Sequence, residues 1–170
     1  MGECPKEIRV VSILQEQLKA RFNMVRRDLN RVLDRFTEDD YHWAPTEGMR
    51  TVHGQLFEIV GKEVELLDYA KKGGKEGWIE IEEYGEREKT LKGMREVLAE
   101  VRGGTLNDID SFSESDLEKP VAFPTDWWES MGLFEMPLHE VYRTIAMHEW
   151  YHTGQLYSYL WTRGDDPYKW

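Results

Sequence analysis

Cysteine is almost missing from this sequence. The single thiol, Cys4, excludes an internal disulfide and a cysteine-based metal site. Long apolar runs are missing too, and nothing approaches the roughly 18 residues of a membrane span. Positive charge is scarce: Lys and Arg total 22 against 33 Asp and Glu, a formal net charge of −11. Nucleic-acid binders draw affinity from cations that displace phosphate counterions, so a nucleic-acid partner is excluded. An anionic membrane surface is an equally poor partner. Glu3, Lys6, Glu7 and Arg9 interrupt the first apolar positions, which removes any secretory signal. The expectation is a soluble, cytoplasmic protein.

Apolar types make up 40% of residues, enough for a core despite 32% charged residues, so disorder is excluded. A length of 170 residues predicts one domain over 1–170. Ile8, Val11, Leu14, Leu18, Phe22, Val25, Leu29, Leu33 and Phe36 recur at spacings of three and four, which predicts a helix over 6–36. Pro45 and Gly48 mark a loop, and Thr51 caps a second helix running to Gly73-Gly74. Residues 78–84 read equally as a strand or a helical turn. A third helix is predicted over 86–112, although Gly103-Gly104 weakens it by about 1 kcal/mol each relative to Ala. A connection rich in Pro, Trp and Phe over 113–136 leads to Pro137, which suits the first turn of a last helix over 137–163. Gly164 and Pro167 end it.

Four helices without a clear strand predict an all-α four-helix bundle with a long irregular connection before the last helix. An internal echo fits that reading: Phe36-Thr37-Glu38-Asp39-Asp40 resembles Phe112-Ser113-Glu114-Ser115-Asp116, each after a long helix. Ordinary cap chemistry produces such strings as well.

Chemistry concentrates in the last helix. His148 and His152 are four residues apart, so both imidazoles share one helix face and can share a metal ion. Neutral imidazole suits Zn, Ni, Cu and Fe; the bland alternative is a chance spacing. His148-Glu149-Trp150-Tyr151-His152 also matches H-E-x-x-H, in which Glu149 would be the general base of a zinc metallopeptidase. Against this, the 18 residues after His152 contain no His to complete such a site. A solvated or hydrogen-bonded Glu149 is the plainer reading.

A third ligand has three candidates on the second helix: His53, Glu58 and Glu63. At about 100° per residue, Glu63 falls about 20° from the centre of the apolar stripe at Leu56, His53 about 60° and Glu58 about 160°. Periodicity therefore disfavours Glu58 and leaves His53 and Glu63 open. Glu63 is the oddest residue on the stripe by burial logic, and its bland reading is a hydrogen-bonded carboxylate. Gln155, three past His152, could orient an imidazole or bond between helices. Trp127, Trp128, Trp150 and Tyr151 read as core more readily than as a pocket mouth. His42 and His139 are not brought to the histidine pair by spacing.

The string His148-x-x-x-His152-Thr-Gly-Gln155-Leu156 resembles the last helix of the DinB/YfiT-like metalloenzyme family, often H-x-x-x-H-R-G-Q-L, with Thr153 in place of Arg. Trp43-x-Pro45-x-x-Gly48-x-Arg50-Thr51-Val52 resembles the family's approach to its second helix, and Phe112-x-x-x-Asp116-Leu117 its late turn. The resemblance implies an up-down-down-up bundle, with a metal held by one His of helix two and two of helix four. Counted from Thr51-Val52, the helix-two His falls on Glu58 and the acid that often follows it on Glu63. Glu58 would then serve as a carboxylate ligand, and two His with one carboxylate suit Zn or Ni, and also Mn or Fe(II).

The resemblance further implies a divalent-metal-binding protein that acts on a small-molecule substrate or thiol, as a thiol-dependent transferase or a metal-dependent hydrolase. A non-catalytic metal- or ligand-binding bundle, or a dimerising module, is the alternative, and Glu at the third-ligand position favours it. Related bundles often pair, so a homodimer is a further expectation.

Overall fold

The computed structural model describes residues 12–74, 79–122 and 132–170. Four long helices carry it: α1 (Ile13–Leu33), α2 (Val52–Lys71), α3 (Leu91–Ser111) and α5 (Leu138–Thr162). Between α3 and α5 lie a one-turn helix, α4 (Glu114–Leu117), and a two-stranded antiparallel ribbon, β1 (Pro120–Ala122) with β2 (Glu135–Pro137). The connection expected to be irregular over 113–136 therefore holds regular pieces. Ile79–Tyr84 forms neither strand nor helix. Cys4, Trp78, Trp127 and Trp128 lie outside the described residues.

Local chemistry sets the helix ends. Ser12 is extended, its hydroxyl accepts from Gln15 N, and the Gln15 side chain accepts from Ser12 N. This reciprocal cap starts α1 at Ile13; residues 6–11 of the predicted helix lie outside the described residues. Thr51 caps α2 through Gly54 N at 3.1 Å, as the sequence predicts. Thr90 caps α3 through Gly93 N at 3.0 Å. The turn before it, Gly85–Lys89, is a 3₁₀ helix rather than the first turn of α3. Gly164, at φ +85°, takes the left-handed conformation that ends α5.

Two apolar clusters fix the helix directions. One joins Leu33 at the end of α1, Val52 at the start of α2, Leu91 at the start of α3, and Tyr159 and Leu160 at the end of α5. The other joins Leu18 of early α1, Leu67 and Ile109 of late α2 and α3, and Val141 of early α5. Helices α1 and α5 thus run one way and α2 and α3 the other, in up-down-down-up order. α5 packs between α1 and α2. Each fully buried Leu or Val in these clusters contributes roughly 1.5–3 kcal/mol of transfer free energy.

A charged layer separates the clusters, with one residue from each long helix: Arg26, Glu63, Arg102 and Glu149. Exposure is 9% for Arg26, 4% for Arg102 and 1% for both glutamates. Arg102 grips Glu63 with two bonds of 3.0 Å and also bonds Glu149. Arg26 Nε donates to Glu149 at 2.9 Å, and Thr105 Oγ1 donates to Glu63. Burial pushes the Glu63 carboxyl up, but Arg102 and Arg26 outweigh it and hold it below the usual carboxylate range. Formal charge in the layer cancels.

Candidate metal centre

His148 and His152 stand one turn apart on α5, where it faces α2. Their Nε2 atoms are 3.1 Å apart, and Glu58 Oε1 on α2 lies 4.0 Å from His148 Nε2. Among the described residues these three form a group of ligand atoms all within 4.8 Å of one another. Glu58 sits off the main stripe of α2 and is 28% exposed at its side chain, with His148 at 22%. The cluster therefore lies at the edge of the bundle, where a residue some 160° from the stripe centre can still reach α5.

A hydrogen-bond chain orients the inner histidine. His152 Nδ1 faces two amide oxygens, Gln55 Oε1 at 2.5 Å and Gln155 Oε1 at 3.1 Å. Gln55 Nε2 donates to Tyr159 Oη at 2.8 Å, and Tyr159 donates to the Arg50 carbonyl at 2.6 Å. With two acceptors at Nδ1 the proton resides there, so the Nε2 lone pair points toward His148 and Glu58. Burial pushes His148 down to about 3, and His152, Lys62 and Arg50 act in the same direction. Burial lowers His152 as well, against the opposing bond to Gln155. Both imidazoles are neutral at pH 7, the form that coordinates a metal.

The donor set fits a divalent ion. Nitrogen ligands about 2.0–2.1 Å from a tetrahedral ion stand roughly 3.3 Å from each other, close to the observed Nε2 separation. Arg50 Nη2 lies 3.4 Å from the other carboxylate oxygen, Glu58 Oε2.

The remaining sequence candidates lie elsewhere. Glu63 is committed to the charged layer. His53 packs among Tyr41, His42 and Phe57 with its Nε2 buried and unbonded, and the structure does not bring it to the pair. His139 Nδ1 meets the Leu117 carbonyl near the start of α5. Glu149, the base of the peptidase reading, turns its carboxylate into the interior against Arg26 and Arg102, away from the histidine pair. Trp150 and Tyr151 are exposed at 54% and 64% rather than core. Tyr151 lines a cleft of about 350 Å³ together with Met49, Arg50, Gln55, His152, Gln155 and Tyr159.

Sequence reasoning missed Gln55, Tyr159 and Arg50. Gln55 precedes Glu58 by three residues and Tyr159 follows His152 by seven. Helical spacing puts each on its partner's face once that partner is chosen.

The sequence profile of the DinB superfamily matches residues 21–156, from α1 to late α5. An uncharacterised protein from Clostridium difficile 630 has a similar crystal structure, with a TM-score of 0.67 at 17% identity. That likeness covers 92% of this chain and 99% of the other, and it concerns the fold. No curated protein matches the chain. The profile match extends over most of the sequence and falls on a bundle with the up-down-down-up helix order, so this chain belongs to the DinB superfamily.

Proposed function

We propose that the chain binds one divalent transition-metal ion through Glu58, His148 and His152, with Zn or Ni favoured and Mn or Fe(II) also suited to the donors. The single observation that carries this reading is the pair of Nε2 atoms 3.1 Å apart, with the His152 tautomer set by Gln55 and Gln155. Three protein donors leave coordination positions open, and one of the three, His152, also lines the cleft beside Arg50 and Tyr151.

The family resemblance implies chemistry on a small molecule, as a thiol-dependent transferase or a metal-dependent hydrolase. A bound divalent ion supplies Lewis acidity and a lowered pKa for a coordinated water or thiol. The chain's own contribution is orientation. Gln55 and Tyr159 fix His152, and Tyr151 and Met49 wall the cleft.

Metal content by mass spectrometry on tag-free protein tests the reading, beside His152→Ala and Glu58→Ala. About one equivalent in the parent, lost in both variants, is the expected result. Loss in His152→Ala alone moves the third donor off Glu58. No metal after soaking with Zn or Ni overturns the proposal.

A further inference from the structure

We infer that Arg50 is an anion anchor, and that the ligand of this cleft is a small molecule carrying a carboxylate or similar oxyanion beside its metal-binding group. The inference rests on the metal reading above and adds the ligand class. Arg50 comes from the loop before α2, one residue ahead of the Thr51 cap, and its carbonyl is fixed by Tyr159. Its side chain is 53% exposed and contacts Glu58 through Nη2 at 3.4 Å. That is a long, one-point contact for a group able to make five donations in a planar fork. The guanidinium thus has donors left over at the cleft wall shared with His152 and Gln155.

Charge points the same way. Two neutral imidazoles and one carboxylate neutralise half of a divalent ion, and Arg50 adds a further positive charge. The protein as a whole is at −11, but exposed charges beyond about 10 Å are largely screened at 0.1 M salt. The local surplus therefore selects the ligand. The other polar side chains of the cleft are neutral: Gln55 and Tyr159 are engaged with each other, with His152 and with the Arg50 carbonyl, Ser158 donates to the Gly154 carbonyl, and the Gln155 N–H groups and the Tyr151 hydroxyl are uncharged donors. Arg50 is the group there with charge to offer an anion, and a guanidinium fork suits a planar carboxylate.

Two thiols that differ by one carboxylate test this on cobalt-loaded protein: mercaptoacetate and 2-mercaptoethanol. The thiolate-to-cobalt absorption band reports binding of each, and metal content reports loading. In Arg50→Met, mercaptoacetate is expected to bind at least about tenfold more weakly, with 2-mercaptoethanol and cobalt loading unchanged. Arg50→Lys should recover part of the loss, because charge remains but the fork does not. Unchanged mercaptoacetate affinity in Arg50→Met overturns the anchor while leaving the metal reading intact. Equal weakening of both thiols also overturns it, and assigns Arg50 to holding Glu58. Failure of the parent protein to take up cobalt removes both readings together.

Discussion

His148 and Glu149 are neighbours in sequence that serve different layers of the bundle. The His148 imidazole meets His152 and Glu58 at the edge between α2 and α5, while the Glu149 carboxylate is 1% exposed and held by Arg26 and Arg102. One residue of helical rotation, about 100°, separates a metal-type site from a structural ion layer. The same step turns an apparent H-E-x-x-H motif into two unrelated devices.

Glu149→Gln should therefore act on stability. It leaves two buried guanidinium groups sharing one carboxylate, and breaking a buried pair costs about 3–5 kcal/mol. Urea denaturation should show that loss, while metal uptake by the folded fraction stays at the parent level. A general base at the metal would give the reverse pattern, with stability intact.

Gln55→Leu should weaken metal binding without unfolding the protein. The substitution removes the 2.5 Å contact at His152 Nδ1 and the link to Tyr159. Losing the group that orients a metal-binding imidazole typically costs 10- to 100-fold in affinity, roughly. Gln155→Leu should cost less, because its contact is longer, at 3.1 Å. Competition titration against a chromogenic zinc chelator measures both.

The helices were legible because their apolar residues repeat at three and four, and because Thr51 and Pro137 are sound start signals. Apolar periodicity alone does not place a helix start: the Ser12–Gln15 cap sets that of α1 at Ile13. The repeated Phe-Thr/Ser-Glu string proved to be a repeated local structure. Thr37 N bonds Asp40 Oδ2 at 2.7 Å, and Ser113 N bonds Asp116 Oδ2 at 3.0 Å. Glu63 stood out on the stripe, but its partners Arg26 and Arg102 lie on other helices, and no local pattern pairs residues so far apart. Glu58 was reached through resemblance, against the helical wheel. The wheel measures distance from the core, and this cluster sits at the core's rim.

Stability of metal-free protein should fall as the pH drops below 6.5, because of the buried histidines. His148, His152 and His53 all have pKa values below their ordinary value of 6.5, chiefly because of burial. Between 6.5 and the folded values, the unfolded chain binds protons that the folded chain does not, so stability rises with pH and drops as pH falls. Each such imidazole contributes up to about 1.4 kcal/mol per pH unit in that window. Glu63, Asp40 and Asp165 are held below their ordinary values of 4.5 and 3.8, so their stabilisation is present above those values and is lost only at lower pH. Urea denaturation in chelator from pH 7 to 5 isolates the histidines. The double variant His148→Ala/His152→Ala should give a visibly flatter slope.

The loop before α2 is tied to α3 through Glu38. Glu38 reaches 53 residues along the chain to accept from Leu91 N at 2.8 Å and from Lys92 N at 2.9 Å. These are first-turn N–H groups of α3 that its own ladder cannot satisfy, and a carboxylate there also meets the positive end of the helix. Thr90 already caps Gly93 N, so the two residues share the work. Glu38→Ala should cost about 1 kcal/mol, and Glu38→Gln less, because an amide oxygen still accepts without the charge. Loss of the contact frees Leu91 at the end of the bundle where Val52 begins α2, so hydrogen exchange should rise at the start of α3 before it rises elsewhere. Uniform exchange across the bundle would show that Glu38 supports global stability rather than this local tie.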